Sequence, residues 1–464
     1  MIRALTDMVR GQRSDPTGGT VDFGAIGQMS LISGAVPLVI GAIAVVALSA
    51  LALSHRPRTR RSVAAHLARL AAGAGAGALV AAALMWLFID VLDIVQVAVS
   101  VGSRTWIVIA WAGVGLAVAS MVGARTGRRI VAAVAIVVFL SGGVVGVNAD
   151  IGQYPTIASA MGASAVAPIP AQYLQAIAAA SAPRPLWSSW EAPAPLPAAG
   201  IVGTVVIPAT VSGFPARPAF VYLPPAALVN PPPALPVIVM MSGQPGSPQN
   251  VFEAGQIDRV FDTFASTHGG LAPIVVVPDQ LGHAGVNPMC ADAWAGDSET
   301  YLTVDVPRWI RAHLTVASPS SSWAIAGWSQ GGTCAIQLGA SHPEIFGNII
   351  DISGEIAPSI GTIEFTVSRG FGGNKALYEA HRPLDIIAAH SSYSSEVAIF
   401  GWGAGDSRFG PGLVLLAGAA THGQMTVTSV ISPGTAHDWS TVRFVMSHGI
   451  DPVLIHFGLV SPIA

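Results

Sequence analysis

The sequence predicts two classes of structure in one chain. Residues 200–464 read as an α/β domain built on a doubly wound, mostly parallel sheet, and residues 35–149 read as an all-α domain of four transmembrane helices. Three observations carry this reading: four long uncharged apolar runs in the first third, alternating short strand and helix patterns from Ile201 onward, and a Gly-x-Ser-x-Gly pentapeptide at a strand-to-helix junction.

Of the 464 residues only 10% are charged, against about 25% in an average soluble protein. The mean hydropathy is +0.59. This apolar excess is local to the first 150 residues. The net charge of −3, with no basic stripe and no acidic tail, gives no electrostatic reason to expect nucleic acid as a partner. Two cysteines, Cys290 and Cys334, are too few for a disulfide scaffold and wrongly spaced for a metal cluster.

A bilayer core of about 30 Å takes about 20 helical residues to cross. Four runs meet that length, at roughly 35–53, 70–89, 106–123 and 130–147. A cleavable signal peptide would instead give one short apolar run near the start. The basic clusters HRPRTRR (55–61) and RTGRR (125–129) lie between the first and second and between the third and fourth runs, so both are expected on the cytoplasmic side. That puts the N-terminal segment 1–34 and everything after the fourth span outside the cytoplasm, although Arg3, Arg10 and Arg13 make the N-terminus mildly basic. Asp90 and Asp93 are expected at the outer interface rather than as an intramembrane pair. Gly73, Gly75 and Gly77 suit close helix packing.

Residues 150–199 are rich in Ala and Pro and read as an extended spacer that carries the next domain off the membrane. Beyond them, GTVVIPAT and RPAFVYLP predict an opening pair of strands, and LPVIVMMSG predicts a buried parallel strand. Helix NVFEAGQIDRVFDTFAST, strand APIVVVPD, helix SETYLTVDVPRWIRAHLT and strand SSWAIAG follow. After the pentapeptide come helix GTCAIQLGASHP, strand GNIIDISG, a helix-containing segment, strand SEVAIFGWG, helix PGLVLLAGAATHG, strand MTVTSVIS and a last helix. Repeated βα units with short connections imply the right-handed doubly wound sheet.

Gly327-Trp328-Ser329-Gln330-Gly331 alone is a weak signal. Its position between a strand and a helix fits the sharp turn that exposes a nucleophilic serine above a sheet, with glycines where side chains would clash. A serine hydroxyl also needs a base, oriented in turn by a carboxylate. Asp406 falls just past SEVAIFGWG and His437 just past MTVTSVIS, so Ser329, Asp406 and His437 each follow their own strand in the chain order of α/β-hydrolases. Asp351 and Glu355 are the runner-up acids. His381, His390, His422, His448 and His456 lie in or beside helical patterns and read as structural. The tetrahedral oxygen needs two donors: the backbone N–H of Gln330, and that of Gln244 in the loop Ser242-Gly243-Gln244-Pro245-Gly246.

GQPGSP, NPMCADAWAGDSETYLTVDVPRWI, GWSQGGTCAIQLGASHPEIF, FGG and PGTAHDW together resemble the esterase D family of α/β-hydrolases. Within it, the chain is similar to membrane-anchored actinobacterial esterases related to mycolyltransferases. The resemblance covers residues 200–460 and implies Ser329 as nucleophile, His437 as base and Asp406 as acid, where the mycolyltransferases use a glutamate. In such a sheet Cys290 and Cys334 stand near adjacent strand ends, and an extracytoplasmic location favours a Cys290–Cys334 disulfide over two buried free thiols. Asn287, Asp292 and Trp328 are candidate substrate contacts.

The expectation is therefore a membrane-anchored, extracytoplasmic serine esterase acting on lipid or envelope-glycolipid esters, without metal or organic cofactor. An acyltransferase is the alternative within the same chemistry. A non-catalytic envelope-binding protein with a hydrolase fold is the alternative outside it.

Overall fold

The computed structural model describes residues 24–53, 60–95, 97–161, 166–176, 185–390 and 392–462. Most of the N-terminal segment, residues 54–59 of the first basic loop and parts of the Ala/Pro-rich stretch lie outside the described residues.

Among the described residues four helices are long and apolar enough to cross a membrane. They are α1 (Ala35–Leu53), α2 (Arg60–Met85), α3 (Val101–Met121) and α4 (Thr126–Ile151), with α2 running on through a π-helical turn at Trp86–Val91. All but the first extend beyond the apolar runs at one or both ends. Helices α2 and α3 cross closely enough that a Cβ on Gly77 would lie 2.0 Å from the Trp111 carbonyl oxygen, and one on Gly115 2.1 Å from that of Gly73. Small residues are required there because the backbones themselves are the contact surface. Gly75, by contrast, has open space around it.

The second domain is built on eight strands: β1 (Ile201–Val205), β2 (Ala219–Leu223), β3 (Val237–Met241), β4 (Ile274–Val277), β5 (Trp323–Trp328), β6 (Asn348–Ile352), β7 (Val397–Gly403) and β8 (Thr426–Ser432). Their order across the sheet is β1-β2-β4-β3-β5-β6-β7-β8. The β1–β2 and β2–β4 pairs are antiparallel and the other five pairs parallel. Strands β2 to β7 are buried along nearly their whole length between helical layers. That is why they read as continuous rather than alternating apolar runs. The flanking helices include α5 (Ile257–Thr267), α6 (Val306–His313), α7 (Gln330–Ser341), α8 (Gly410–His422) and α9 (Trp439–His448). The helix pattern ahead of β4 breaks at Gly255-Gln256, where Gln256 takes φ +52°.

The spacer expectation is corrected. The described parts of the Ala/Pro-rich stretch lie on the α/β domain instead of holding it away from the membrane: Pro168 bridges to Thr204, Ile169 is buried, and the indole N–H of Trp190 donates to the Gly269 carbonyl at 2.9 Å. The domain also sits directly on the end of α4, since Trp439 Nε1 donates to Gln153 Oε1 at 2.9 Å and Ser440 Oγ to the Asp150 carbonyl at 3.2 Å. Proline-rich composition reports extended backbone, and extended backbone can equally be laid along a surface.

Candidate active site

Ser329 stands between β5 and α7 with φ +57° and ψ −122°, a strained conformation for a residue with a Cβ. Its N–H is tied to the Ile352 carbonyl at 2.8 Å. The flanking glycines are sterically required: a Cβ on Gly327 would lie 2.0 Å from the Gly331 oxygen, and one on Gly331 2.5 Å from the Ser242 oxygen. The pentapeptide is therefore a turn so tight that its two glycine positions have no room for a side chain.

His437 follows β8 and Asp406 follows β7. The structure brings both to the serine: His437 Nε2 lies 2.9 Å from Ser329 Oγ and Nδ1 lies 3.0 Å from Asp406 Oδ2. With its proton on Nδ1, the imidazole donates to the carboxylate and accepts from the hydroxyl. Asp406 is almost fully buried, and its other oxygen accepts the N–H of Phe409 at 3.2 Å. The imidazole ring packs between Trp328, at 5.2 Å between centroids, and Phe409, at 4.6 Å. The neighbouring Asp438 fixes the loop by accepting the N–H groups of Ala436 and Thr441 at 2.8 and 2.9 Å. The runner-up acids lie elsewhere. Asp351 is buried behind the elbow, where it accepts the Gly354 N–H, and Glu355 lines the cavity. Burial pushes both carboxyls up to about 7, with Gly354's N–H opposing it at Asp351 and Arg408 at Glu355.

A cavity of about 750 Å³ opens beside Ser329, lined by Gln244, Asn287, Trp294, Gln330, Glu355, Phe365, Arg369 and Arg408 among others. Gln330 and Gln244 are both among its lining residues, and among the described residues the backbone N–H of neither meets an acceptor. Residues that sequence reasoning passed over brace this pair. Gln280, fully buried, donates to the Ser242 carbonyl at 2.6 Å and to Gln330 Oε1 at 3.0 Å. Arg217 pairs with the buried Asp279 and donates to the Gly246 carbonyl at 3.0 Å. Nothing in the local sequence marks them, because their role depends on strands and loops brought together only in the fold.

Cys290 and Cys334 are joined in a disulfide with a Cα–Cα distance of 5.6 Å. Gln330 Nε2 sits over it, 3.2 Å from Cys334 Sγ, and donates to Asn287 Oδ1 at 3.1 Å. Asn287 borders the cavity, but its amide is occupied by Ser359, Met289 and Gln330. Asp292 is placed differently from the sequence expectation: it is not among the cavity's lining residues, and its carboxylate takes the N–H and hydroxyl of Thr300. Trp328 packs on His437 and Trp439 rather than lining the cavity. Among the described residues no group of three or more His, Cys, Asp or Glu side chains is arranged to hold a metal.

Residues 216–420 match the family model Esterase, described as "Putative esterase". An uncharacterized protein of Corynebacterium glutamicum is 42% identical over 178 residues, which is 38% of this chain and 42% of that protein. The diacylglycerol acyltransferase/mycolyltransferase Ag85B of Mycolicibacterium smegmatis is 30% identical over 195 residues, 37% of this chain and 56% of that protein. The chain thus spans about half the length of the curated relatives it matches. Among solved structures, an S-formylglutathione hydrolase from Agrobacterium tumefaciens aligns with a TM-score of 0.47 and 20% identity, over 56% of this chain and 97% of that one.

Proposed function

We propose that the chain is a membrane-anchored serine esterase whose substrates are carboxylic esters of lipids or envelope glycolipids, a reading that starts from the match of residues 216–420 to the esterase family model. Ser329 is the nucleophile, His437 the base and Asp406 the acid. The observation that carries the reading is the continuous chain of two hydrogen bonds from Asp406 through His437 to Ser329 at the wall of a cavity.

In this mechanism Ser329 Oγ attacks the ester carbonyl while His437 Nε2 takes the hydroxyl proton. The carbonyl oxygen becomes an oxyanion held by the N–H groups of Gln330 and Gln244, and Asp406 stabilises the imidazolium. The imidazolium returns its proton to the leaving alkoxide as the C–O bond breaks, leaving an acyl group on Ser329. Water then attacks the acyl carbonyl, His437 takes the water's proton and gives it back to Ser329 Oγ, and the carboxylic acid departs. An acceptor hydroxyl in place of water gives a new ester. This second reading, acyl transfer to a sugar or lipid, is favoured by the stretch shared with the Mycolicibacterium smegmatis acyltransferase.

The four apolar helices support membrane anchoring, and the basic 125–129 loop supports an extracytoplasmic catalytic domain. The test is turnover of a short-chain aryl ester by full-length protein in detergent, with and without a disaccharide acceptor. Release of free acid that is lost in Ser329→Ala supports the esterase. An acylated sugar replacing the acid assigns the transferase. Release that persists in Ser329→Ala refutes both.

A further inference from the structure

The catalytic edge of the sheet is also the edge that meets the membrane helices. Asp93, just past the second span, accepts from Arg408 through both carboxylate oxygens at 2.6 and 2.8 Å. Arg408 lies two residues beyond Asp406 and lines the catalytic cavity. On the other side, Gln153 and the Asp150 carbonyl, at the end of α4, hold Trp439 and Ser440, two and three residues beyond His437. The Trp439 ring packs on Trp328 at 4.4 Å, and Trp328 packs on His437. The loops that carry the acid and the base therefore both rest on the ends of the spans. An apolar span ends where the hydrocarbon ends, so these contacts lie at headgroup level.

The surface around the cavity has a composition that suits that level. Phe365 lines the catalytic cavity, and Ile356 and Ile363 line an adjoining one of about 330 Å³ that also touches Arg408 and Phe409. Gly412, in the first turn of α8, abuts Ile356: a Cβ there would lie 3.5 Å from the isoleucine's. Two and three residues on, Val414 and Leu415 project from the same helix. All five side chains are between 39% and 62% exposed. Together with Pro411 and Gly418, also exposed, Val414 and Leu415 form an apolar face at helical spacing. Apolar side chains gathered this way mark a surface that is covered in use, and the bridge between Asp93 and Arg408 joins this one to the end of a span.

We propose that the cleft opens onto the leaflet from which the spans emerge. Its lip of Ile356, Ile363, Phe365, Val414 and Leu415 lies in the interfacial layer, and lipid esters of the same bilayer reach Ser329 laterally without crossing water. The inference rests on the esterase reading above and adds the route and the physical state of the substrate.

The test uses full-length protein in phosphatidylcholine vesicles. A labelled diacylglycerol is placed either in the same vesicles or in separate ones, a water-soluble acetate ester serves as reference, and rates are normalised to sites titrated with a fluorophosphonate. Turnover in the same vesicles is expected to exceed that across vesicles by at least about tenfold, because transfer of a two-chain lipid through water forfeits the burial of many methylenes. In V414D/L415D the ratio of lipid to soluble-ester turnover is expected to fall about tenfold, since two charges are expensive at an apolar interface. Equal turnover from both vesicle populations, an unchanged ratio in the variant, or no lipid turnover by a labelled protein active on the soluble ester overturns the inference and leaves the esterase reading standing. No labelling of Ser329 and no turnover of either ester overturns both.

Discussion

Removing the Cys290–Cys334 disulfide as C290A/C334A opens a loop of 44 residues in the unfolded chain. The chain-entropy relation for a loop of that length gives about 4 kcal/mol at 25 °C. In a domain of this size each kcal/mol moves Tm by about 2–4 °C, so the expected drop is about 8–16 °C. Both sulfurs are buried, so the native bond should also resist reductant until the domain opens locally. Activity should fall as well. Cys334 lies within the first turns of α7, Gln330 rests on the sulfurs, and the cysteine loop contains two non-glycine residues at positive φ, Met289 and Cys290. The assay is thermal unfolding of full-length protein followed by tryptophan fluorescence, with ester turnover measured in parallel below Tm. A Tm within about 2 °C of the wild type, with the bond verified as present in the wild type, would refute the argument that the disulfide limits the unfolded state.

Two further predictions concern polar networks of the α/β domain. Burial disfavours the charge of Glu299, yet hydrogen bonds from His342 and His381 outweigh it and hold the carboxyl down at about 2. Glu299 raises both imidazoles, against burial that would lower them; at His342 the Glu299 hydrogen bond is the largest effect, and at His381 burial is. A histidine raised above its unfolded value of about 6.5 stabilises fully below that pH and loses the contribution as pH rises through the folded value. E299Q should therefore lower stability by roughly 1 kcal/mol at pH 6, have a smaller effect near pH 9, and flatten the wild-type decline in between. Denaturant titrations at the two pH values check this, and an equal loss at both contradicts it. Gln280→Ala leaves the Ser242 carbonyl without its buried donor, at a cost of about 1–3 kcal/mol. With the proposed oxyanion loop loosened, kcat on a soluble ester should drop about 10- to 100-fold with KM nearly unchanged. A change confined to KM contradicts the bracing role.

Most of the fold was legible because strands buried on both faces must be short apolar runs, as β2 to β7 are, while the half-exposed edge strands β1 and β8 showed in their β-branched residues. The elbow, His437 and Asp406 were legible because each is a strand-end residue in a fixed order, and local sequence carries strand ends. Contacts between distant segments were not legible. Arg408 and Asp93 are 315 positions apart, and Trp439 and Gln153 are 286 apart. Nothing in the composition of either partner names the other. The same limit hid Gln280 and Arg217, whose value lies in which loop they reach. It also misread the Ala/Pro-rich stretch, whose described parts are laid along the domain. Asp292 was chosen for its position in a loop near the elbow, but its carboxylate takes up the adjacent Thr300.

The central claim is that His437, held by Asp406, makes Ser329 the nucleophile. The direct measurement is the rate and site of fluorophosphonate modification of the full-length protein, read by mass spectrometry of the peptide that contains AGWSQGGT. The account predicts a single adduct on Ser329, none in Ser329→Ala, and modification slowed by about three orders of magnitude in His437→Ala. An adduct on another residue, or an undiminished rate in His437→Ala, would contradict it.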